Sequence, residues 1–393
     1  MPEAHQILIS KRGARRLRAG HVWIYQSDIE DLSDASSGGV VKVVTQHKSG
    51  GSNSLGMAFY SADSQISLRL ITRSDIELDK DFFKSRIQDA LQFRSRLNIS
   101  DSAYRVVYSE ADRLPGLIID RYGDVVVLQT QCAGSERLKS TWVDIVSELL
   151  KPRAIIEKNS TPARRLEGLE ELSGVLTGSL DGPFEIIQGG LRMMVDPLAG
   201  QKTGAYLDQR ENHRAAAAFA CGHCLDTFCY QGGFGLSFAR AGAENVTLVD
   251  QSEQALEVAK ENARLNDLAI ETHHANAFDF LKEQQIAGAT YQVVVLDPPA
   301  FAKNRKAIQR AARGYKEINL RAMRLLEKGG VLITSSCSYH MSSEHFEAIL
   351  LEAARDTGRT LQIIQRRGQS RDHPELLGVP ESAYLKCYIL RVL

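Results

Sequence analysis

Four side chains in the C-terminal half of this sequence stand where they could do chemistry together: Asp226, Asp250, Asp297 and Cys337. Each closes or follows a short apolar run. Asp226 leads within ten residues to Gly232-Gly233-Phe234-Gly235. Glycines at such a turn let backbone approach a ligand closely, and the N-terminus of a following helix can meet a carboxylate or phosphate. Asp250 ends the next apolar run and is placed to bind the two hydroxyls of a ribose. A glycine turn with a ribose acid serves NAD and S-adenosylmethionine alike, although the G-x-G-x-x-G spacing of dinucleotide binding is not met. Asp297 opens Asp297-Pro298-Pro299-Ala300-Phe301. Its prolines stiffen the turn and leave carbonyls aimed outward, while the carboxylate can hold an exocyclic amine or a ring nitrogen. Cys337 lies in Thr334-Ser335-Ser336-Cys337-Ser338, just past Val331-Leu332-Ile333. A lone cysteine is by default a small core residue. At a ligand edge it is also the best side-chain nucleophile near neutral pH. Carbon C5 of a pyrimidine becomes nucleophilic only after something adds at C6, and a thiolate does this well.

These residues must be positioned by something, and from about Leu191 onward the sequence alternates strand and helix. The expected strands are Cys224–Phe228, Asn245–Val249, Tyr291–Leu296 and Gly330–Ser335, with helices over Leu236–Ala241, Glu253–Asn266 and Asn319–Leu326. Such alternation predicts a parallel sheet covered by helices, which binds ligands beyond the carboxyl ends of its strands. Upstream, residues 74–190 read as a mixed α/β region. It has a helix over Lys80–Leu97, strands Tyr104–Tyr108, Leu117–Asp120 and Val125–Gln129, a hairpin turn at Arg121-Tyr122-Gly123-Asp124, a helix Trp142–Leu150 and a strand Ala154–Glu157. Residues 1–73 show short strands Val22–Tyr25, Val40–Thr45, Leu55–Tyr60 and Ile66–Ile71 between Ser/Gly turn clusters at 36–39 and 49–53, the pattern of a small β-barrel. A short basic helix is expected over Lys11–Ala19.

A length of 393 residues implies two or three domains, here 1–73, 74–190 and 191–393. With 43% hydrophobic and 24% charged residues the chain can bury a proper core. No apolar run approaches membrane-spanning length, Met1 to Ser10 lacks a signal-peptide layout, and six scattered cysteines make no disulfide framework. The expected location is cytoplasmic, with no membrane and no metal. Cys221-Gly222-His223-Cys224 has the spacing of a redox pair, but a helical stretch precedes it and a strand follows, the reverse of that motif's context. The formal net charge is zero, which argues against a nucleic-acid partner unless charge is local. Two segments are locally basic: Lys11, Arg12, Arg15, Arg16 and Arg18, and Lys303, Arg305, Lys306, Arg310, Arg313, Lys316 and Arg321. Either is by itself a solvated face. The second directly follows the Asp297 turn, where an RNA backbone would approach.

The acid-Pro-Pro-x-aromatic turn resembles the base-binding motif of nucleic-acid methyltransferases, and the whole pattern resembles one family. It is similar to the class I S-adenosylmethionine-dependent cytosine-5 methyltransferases of large-subunit ribosomal RNA that carry an N-terminal PUA domain. The likeness covers nearly the whole chain: Gly20-His21-Val22-Trp23-Ile24-Tyr25 near the start, Leu114-Pro115-Gly116 through Asp124, Lys202-Thr203-Gly204 with Tyr206 to Arg210, and Asp372-His373-Pro374 with Tyr384-Leu385-Lys386 near the end. It implies an α/β fold: a Rossmann-like methyltransferase domain with a mostly parallel seven-stranded sheet, preceded by a β-barrel PUA domain and an α/β middle domain.

The resemblance also implies roles. Gln209 and Arg210 would touch the amino-acid end of S-adenosylmethionine; Asp226, Phe228, Gly232, Gly233 and Phe234 would cradle its methionine part, and Asp250 with Ser252 its ribose. Asn276, Ala277 and Phe278 sit where adenine is held, although the family usually has an acid at position 276. Asp297 would serve both cofactor and flipped cytosine, Cys337 would attack C6, and Pro298, Pro299, Phe301, Lys303, Arg305, Lys306 and Arg310 would meet RNA, 23S ribosomal RNA in this family. Relatives are often dimers. Two other readings stand beside this one: an exocyclic-amine methyltransferase on adenine N6 or guanine N2, which needs no cysteine, and a non-catalytic RNA-binding assembly factor.

Overall fold

The computed structural model describes residues 5–32, 34–46, 51–301 and 308–393. They gather into two compact units.

The first unit holds Met1–Ile186, Val195–Leu207 and Arg371–Ser382. One of its sheets has six strands in the order Trp23–Ile24, Leu68–Thr72, Ser52–Tyr60, Val40–Gln46, Gln6–Ile9, Ile29–Asp31. The helix Lys11–Arg18 starts where the Ser10 hydroxyl accepts from Gly13 N (3.1 Å), and it buries Ala14 and Leu17. Its basic character is partly neutralised by a residue the local sequence does not reveal. Arg12 and Arg16 each bind Asp28 at 2.6 Å, and Arg16 also lies over the Tyr25 ring. Burial alone would raise the Asp28 carboxyl; the two guanidiniums outweigh it and hold the group below the usual carboxylate range. Lys11, Arg15 and Arg18 remain exposed. The second sheet runs Ser173–Gly178, Ala154–Lys158, Val125–Thr130, Leu117–Tyr122, Ala103–Tyr108. Here the expected four-residue turn shrinks to Gly123-Asp124, with Gly123 at φ +63°, because Arg121 and the buried Tyr122 pair in the strand. Ser52 and Asn53 likewise belong to a strand, not to a turn.

The second unit holds Ile187–Met194, Asp208–Ser370 and Ala383–Leu393. Its sheet strands are β1 His223–Thr227, β2 Asn245–Asp250, β3 Glu271–His274, β4 Tyr291–Leu296, β5 Leu326–Ser336, β6 Leu361–Arg367 and β7 Lys386–Val392. Its helices are α1 Arg210–Ala217, α2 Gly233–Arg240, α3 Glu253–Leu265, α4 Ala277–Ala287, α5 Ile308–Leu325 and α6 Ser343–Thr357. The sheet order is β3-β2-β1-β4-β5-β7-β6. β1 to β5 pair in parallel, while β7 runs against both β5 and β6. The sheet is therefore mixed, where strand–helix alternation predicted a parallel one. That rule has nothing to say about a last strand inserted between two others.

β4 reads as a nearly continuous apolar run, and β1 is buried from Cys224 to Thr227, because helices cover both faces of a central parallel strand. The chain goes outward from β1 to β3 and then returns to β4, so the carboxyl ends of β1 and β4 flank the point where the order reverses. Helix α5 starts eleven residues earlier than expected. Its buried Ala311, Tyr315, Ile318, Ala322 and Leu325 recur at helical spacing between basic residues. Among the described residues no helix is long and apolar enough to cross a membrane.

Behind the carboxyl end of β5 lies an aromatic cluster. Phe346 is fully buried, its ring 5.3 Å from that of Tyr315 and 5.8 Å from that of Tyr388. Phe346→Ala is expected to destabilise the protein by about 3–5 kcal/mol, transfer loss plus cavity. A shift in chemical-unfolding midpoint worth less than about 1 kcal/mol would show that the cluster does not support this edge.

Candidate active site

The glycine turn and the two acids before and after it are tied to one another by backbone amides. Leaving β1, the chain passes through Phe228 (φ +60°), Tyr230 (φ +49°) and Gly232 (φ +88°). Left-handed backbone at a non-glycine residue costs on the order of 1–3 kcal/mol and persists only where the surroundings over-determine it. Here they do. Cys229 N donates to Val249 O (3.0 Å) and Tyr230 N to Asp250 Oδ2 (2.8 Å). Asp250 Oδ1 accepts from Ser252 N (2.9 Å), and the Ser252 hydroxyl caps α3 by accepting from Ala255 N. The Asp250 carboxylate is thus held by one amide on each oxygen, which leaves further lone pairs for hydroxyl donors.

Gly235 N donates to Asp226 Oδ2 at 2.8 Å. A Cβ at Gly235 would overlap Leu248 Cδ2, and one at Gly233 would overlap the His213 ring. His213 stands on α1, four residues after Gln209, and packs edge-on against Phe234 with centroids 4.4 Å apart. Burial pushes the imidazole down to about 3, so it is neutral near pH 7. Asp226 is pushed well above the ordinary carboxylate range by burial first, with the nearby Asp297 and Asp250 adding to the Gly235-opposed rise. Its Oδ1 is buried with no hydrogen-bond partner among the described residues. A glycine turn, an amide-held acid with lone pairs to spare and a crowded set of carboxylates together suit a ligand with a cationic centre and vicinal hydroxyls.

Asp297 follows β4, half-buried, and its Oδ1 accepts from Gln209 Nε2 at 2.9 Å. Gln209 is itself oriented by Asn212, whose Nδ2 donates to Gln209 Oε1 at 2.6 Å. Pro298 is buried and Pro299 exposed. Cys337, half-buried at the end of β5, places its Sγ 4.0 Å from the Pro298 carbonyl oxygen. The cysteine and the Asp297 turn therefore share one edge. Phe301 stacks at a tilt on Tyr315 (4.7 Å) and faces Phe278 (6.0 Å).

Arg210 is fully buried at the start of α1. Asn276 caps α4, its Oδ1 accepting from Phe278 N at 2.9 Å, and Ala277 is buried beside it. Lys303, Arg305 and Lys306 lie outside the described residues; Arg310 is exposed on α5. Two further members of that basic run are turned to acids: Lys316 to Asp356 (2.9 Å) and Glu352 (3.4 Å), Arg321 to Glu317 (2.6 Å). Sequence reasoning missed His213, Tyr315 and Lys386 as neighbours of these groups. For His213 the i, i+4 spacing from Gln209 was the available signal.

Comparison with known proteins follows the same outline. A family model described as a PUA-like domain matches residues 7–73. Another, described as an S-adenosylmethionine-dependent methyltransferase, matches residues 168–391. Ribosomal RNA large subunit methyltransferase I of Shewanella denitrificans is 39% identical over 388 residues, 96% of this chain and 97% of that protein. The protein of that name from Tolumonas auensis is 38% identical over 400 residues, covering 98% and 99%. A solved structure from Streptococcus mutans, described as an S-adenosylmethionine-dependent methyltransferase, superposes with a TM-score of 0.83 at 20% identity, covering 98% of this chain and 100% of that one. A second, described as a methyltransferase complexed with SAH, gives 0.84 at 20% identity with the same coverage. At that identity the likeness is one of fold.

Gly235→Ala should weaken S-adenosylmethionine binding by about five- to a hundredfold in calorimetry, because overpacking against Leu248 costs about 1–3 kcal/mol. Leu248→Ala in the same chain should restore part of it; unchanged affinity in the single variant would refute the cradle. His213 also sets a pH dependence. The unfolded imidazole takes up a proton below about 6.5 and the folded one only near 3, so stability falls as pH drops through that window. His213→Phe should lose that share of the acid slope in thermal melts, and an identical slope would exclude the buried neutral imidazole.

Proposed function

Because the chain belongs to the ribosomal RNA large subunit methyltransferase I family of S-adenosylmethionine-dependent enzymes, we propose that it methylates C5 of a cytosine in large-subunit ribosomal RNA through a covalent Cys337 adduct. The observation that carries this reading is the Cys337 sulfur 4.0 Å from the carbonyl of the Asp-Pro-Pro turn, at the edge where the Asp226 and Asp250 turns converge. An amine-methylating site has no use for a thiol there.

S-adenosylmethionine supplies an electrophilic methyl group on a sulfonium when bound. In this reading Asp226, Phe228, Gly232, Gly233 and Phe234 line its methionine part, Gln209 and Arg210 hold its amino-acid end, Asp250 and Ser252 its ribose, and Asn276, Ala277 and Phe278 its adenine. Where a carboxylate would accept from the adenine amine, the amide of Asn276 offers a donor for a ring nitrogen. Buried Asp226 with half-buried Asp250 and Asp297 favours a cation among them.

Asp297 holds the amino edge of the flipped cytosine, since a carboxylate is acceptor-only and takes several donors at once. Cys337 thiolate adds to C6, which makes C5 an enamine carbon able to take the methyl group. Loss of the C5 proton to a base then expels the thiolate and restores the ring, so every proton and electron pair is accounted for. Pro298, Pro299 and Phe301 shape the base pocket, and exposed Arg310, with Lys11, Arg15 and Arg18 on the PUA-like domain, meets phosphates.

RNA containing 5-fluorocytosine cannot release the C5 substituent, so the wild-type enzyme should be trapped as a covalent RNA adduct with S-adenosylmethionine. Cys337→Ala should form no adduct and lose turnover by about three orders of magnitude or more, equivalent to about 4 kcal/mol of barrier, while still binding the cofactor. Turnover retained in Cys337→Ala, or a product methylated on an exocyclic amine, would overturn the assignment.

A further inference from the structure

The nucleophile's loop is held by a buried cation. Lys386 opens β7 and pairs directly across Ser336, the residue before Cys337. Its Nζ donates to the carbonyl of Ser338, the residue after Cys337, at 2.8 Å, and to that of Tyr384 at 2.9 Å. One residue therefore brackets the cysteine, through its backbone pairing before it and its ammonium after it. The residue is only 7% exposed. Among the described residues both acceptors are neutral carbonyls, and no carboxylate pairs with the ammonium. Burying an unpaired charge is expensive, and an apolar side chain would fill the same strand position at lower cost. A lysine retained there needs a countercharge that is present only part of the time.

The groups around the sulfur narrow the choice. Asp297 precedes the Pro298 carbonyl that the sulfur approaches, and its charge opposes ionisation of a thiol. From α5 the Tyr315 hydroxyl bonds Ser336 Oγ (2.9 Å) and Ser338 Oγ (3.0 Å); burial pushes that phenol up, so it is a neutral clamp. Tyr339 and His340 follow on the cysteine's own loop, stacked edge-on at 5.0 Å. Lys386 is the cation that β7 brings to this set. Burial draws its ammonium down to about 8, and the Cys337 sulfur works in the opposite direction, as expected if the two charges sense each other.

We propose that Lys386 is a positioning residue for the nucleophile, an ammonium that fixes the Cys337 loop and favours the ionised sulfur over the thiol. The inference rests on Cys337 acting as a nucleophile. It goes further in naming what makes that sulfur reactive at an edge otherwise crowded with carboxylates.

The test is the pH profile of Cys337 alkylation by iodoacetamide in the full-length protein, read peptide by peptide in a mass spectrometer. Exposed Cys221 serves as an internal reference thiol, and buried Cys224 and Cys387, which must stay unlabelled, report an intact fold. Removing a cation that stabilises a neighbouring anion raises that acid by about 1–3 units. Lys386→Gln should raise the Cys337 midpoint by that amount and leave Cys221 where it was. Lys386→Arg, which keeps a permanent charge, should keep the wild-type midpoint. An unchanged midpoint in Lys386→Gln, or a rise in Lys386→Arg as large as in Gln, overturns the proposal; should Gln fail to fold, the Arg variant decides. Neither RNA nor cofactor enters this experiment. Failure here leaves the 5-fluorocytosine adduct test standing, and failure of that adduct with a normal alkylation shift would remove the cytosine reading alone.

Discussion

The parallel ladder between β1 and β4 is the constraint on which the rest of this site depends. Asp226 pairs across Val295 and Thr227 across Leu296, so the two strands end at one level. β2 and β5 continue the same direction on either side. Four loops of different sequence are thereby delivered to one edge: the glycine turn, the Asp250 turn, the Asp-Pro-Pro turn and the Cys337 loop. A register slip of one residue would turn every side chain of a strand to the opposite face. Buried Val293, Val294, Val295 and Leu296 on β4 leave little tolerance for that.

The same edge concentrates like charge. Asp226, Asp250 and Asp297 lie near enough for the latter two to push the buried Asp226 upward. Such an arrangement is unfavourable in an empty protein and favourable around a positive ligand, which is how a binding site is recognised by its electrostatics. The amide contacts on Asp226 and Asp250 show how the fold tolerates it: each acid is also a structural bracket for its own loop. The carboxylates proposed to bind the cofactor are thus also ones the fold uses to hold its loops.

Much of this was legible in the sequence, for identifiable reasons. β2, β4 and the second half of β5 hold apolar stretches, β1 a short Cys-Leu pair, and the acids and the cysteine stand at or just past their ends, so type and order sufficed. The β3, β6 and β7 strands were not expected: β3 is only Glu271–His274, polar throughout, and β6 carries Gln and Arg between its apolar residues. Helix α5 was read short because its basic residues hid its apolar stripe. The charge readings failed where partners are distant. Asp28 lies 16 residues from Arg12, and Asp356 lies 40 residues from Lys316; neither pairing has a local signature. His213 and Lys386 escaped for the same reason, since a buried histidine or lysine becomes meaningful only when its neighbours are known.

The insertion of β7 has a consequence for biogenesis. β5 leads into Cys337, yet one of its two neighbours in the sheet comes from residues 386–392, and β6 can join the sheet only through that same strand. Synthesis runs from the N-terminus, and an exposed β5 edge is a template for unwanted pairing until it is covered. A nascent chain that has already emitted the glycine turn, the Asp250 turn and the Asp-Pro-Pro turn still lacks a finished sheet. Competence to react is therefore withheld until translation of this region has ended, and truncation of the last strand would leave a product that is both inactive and sticky.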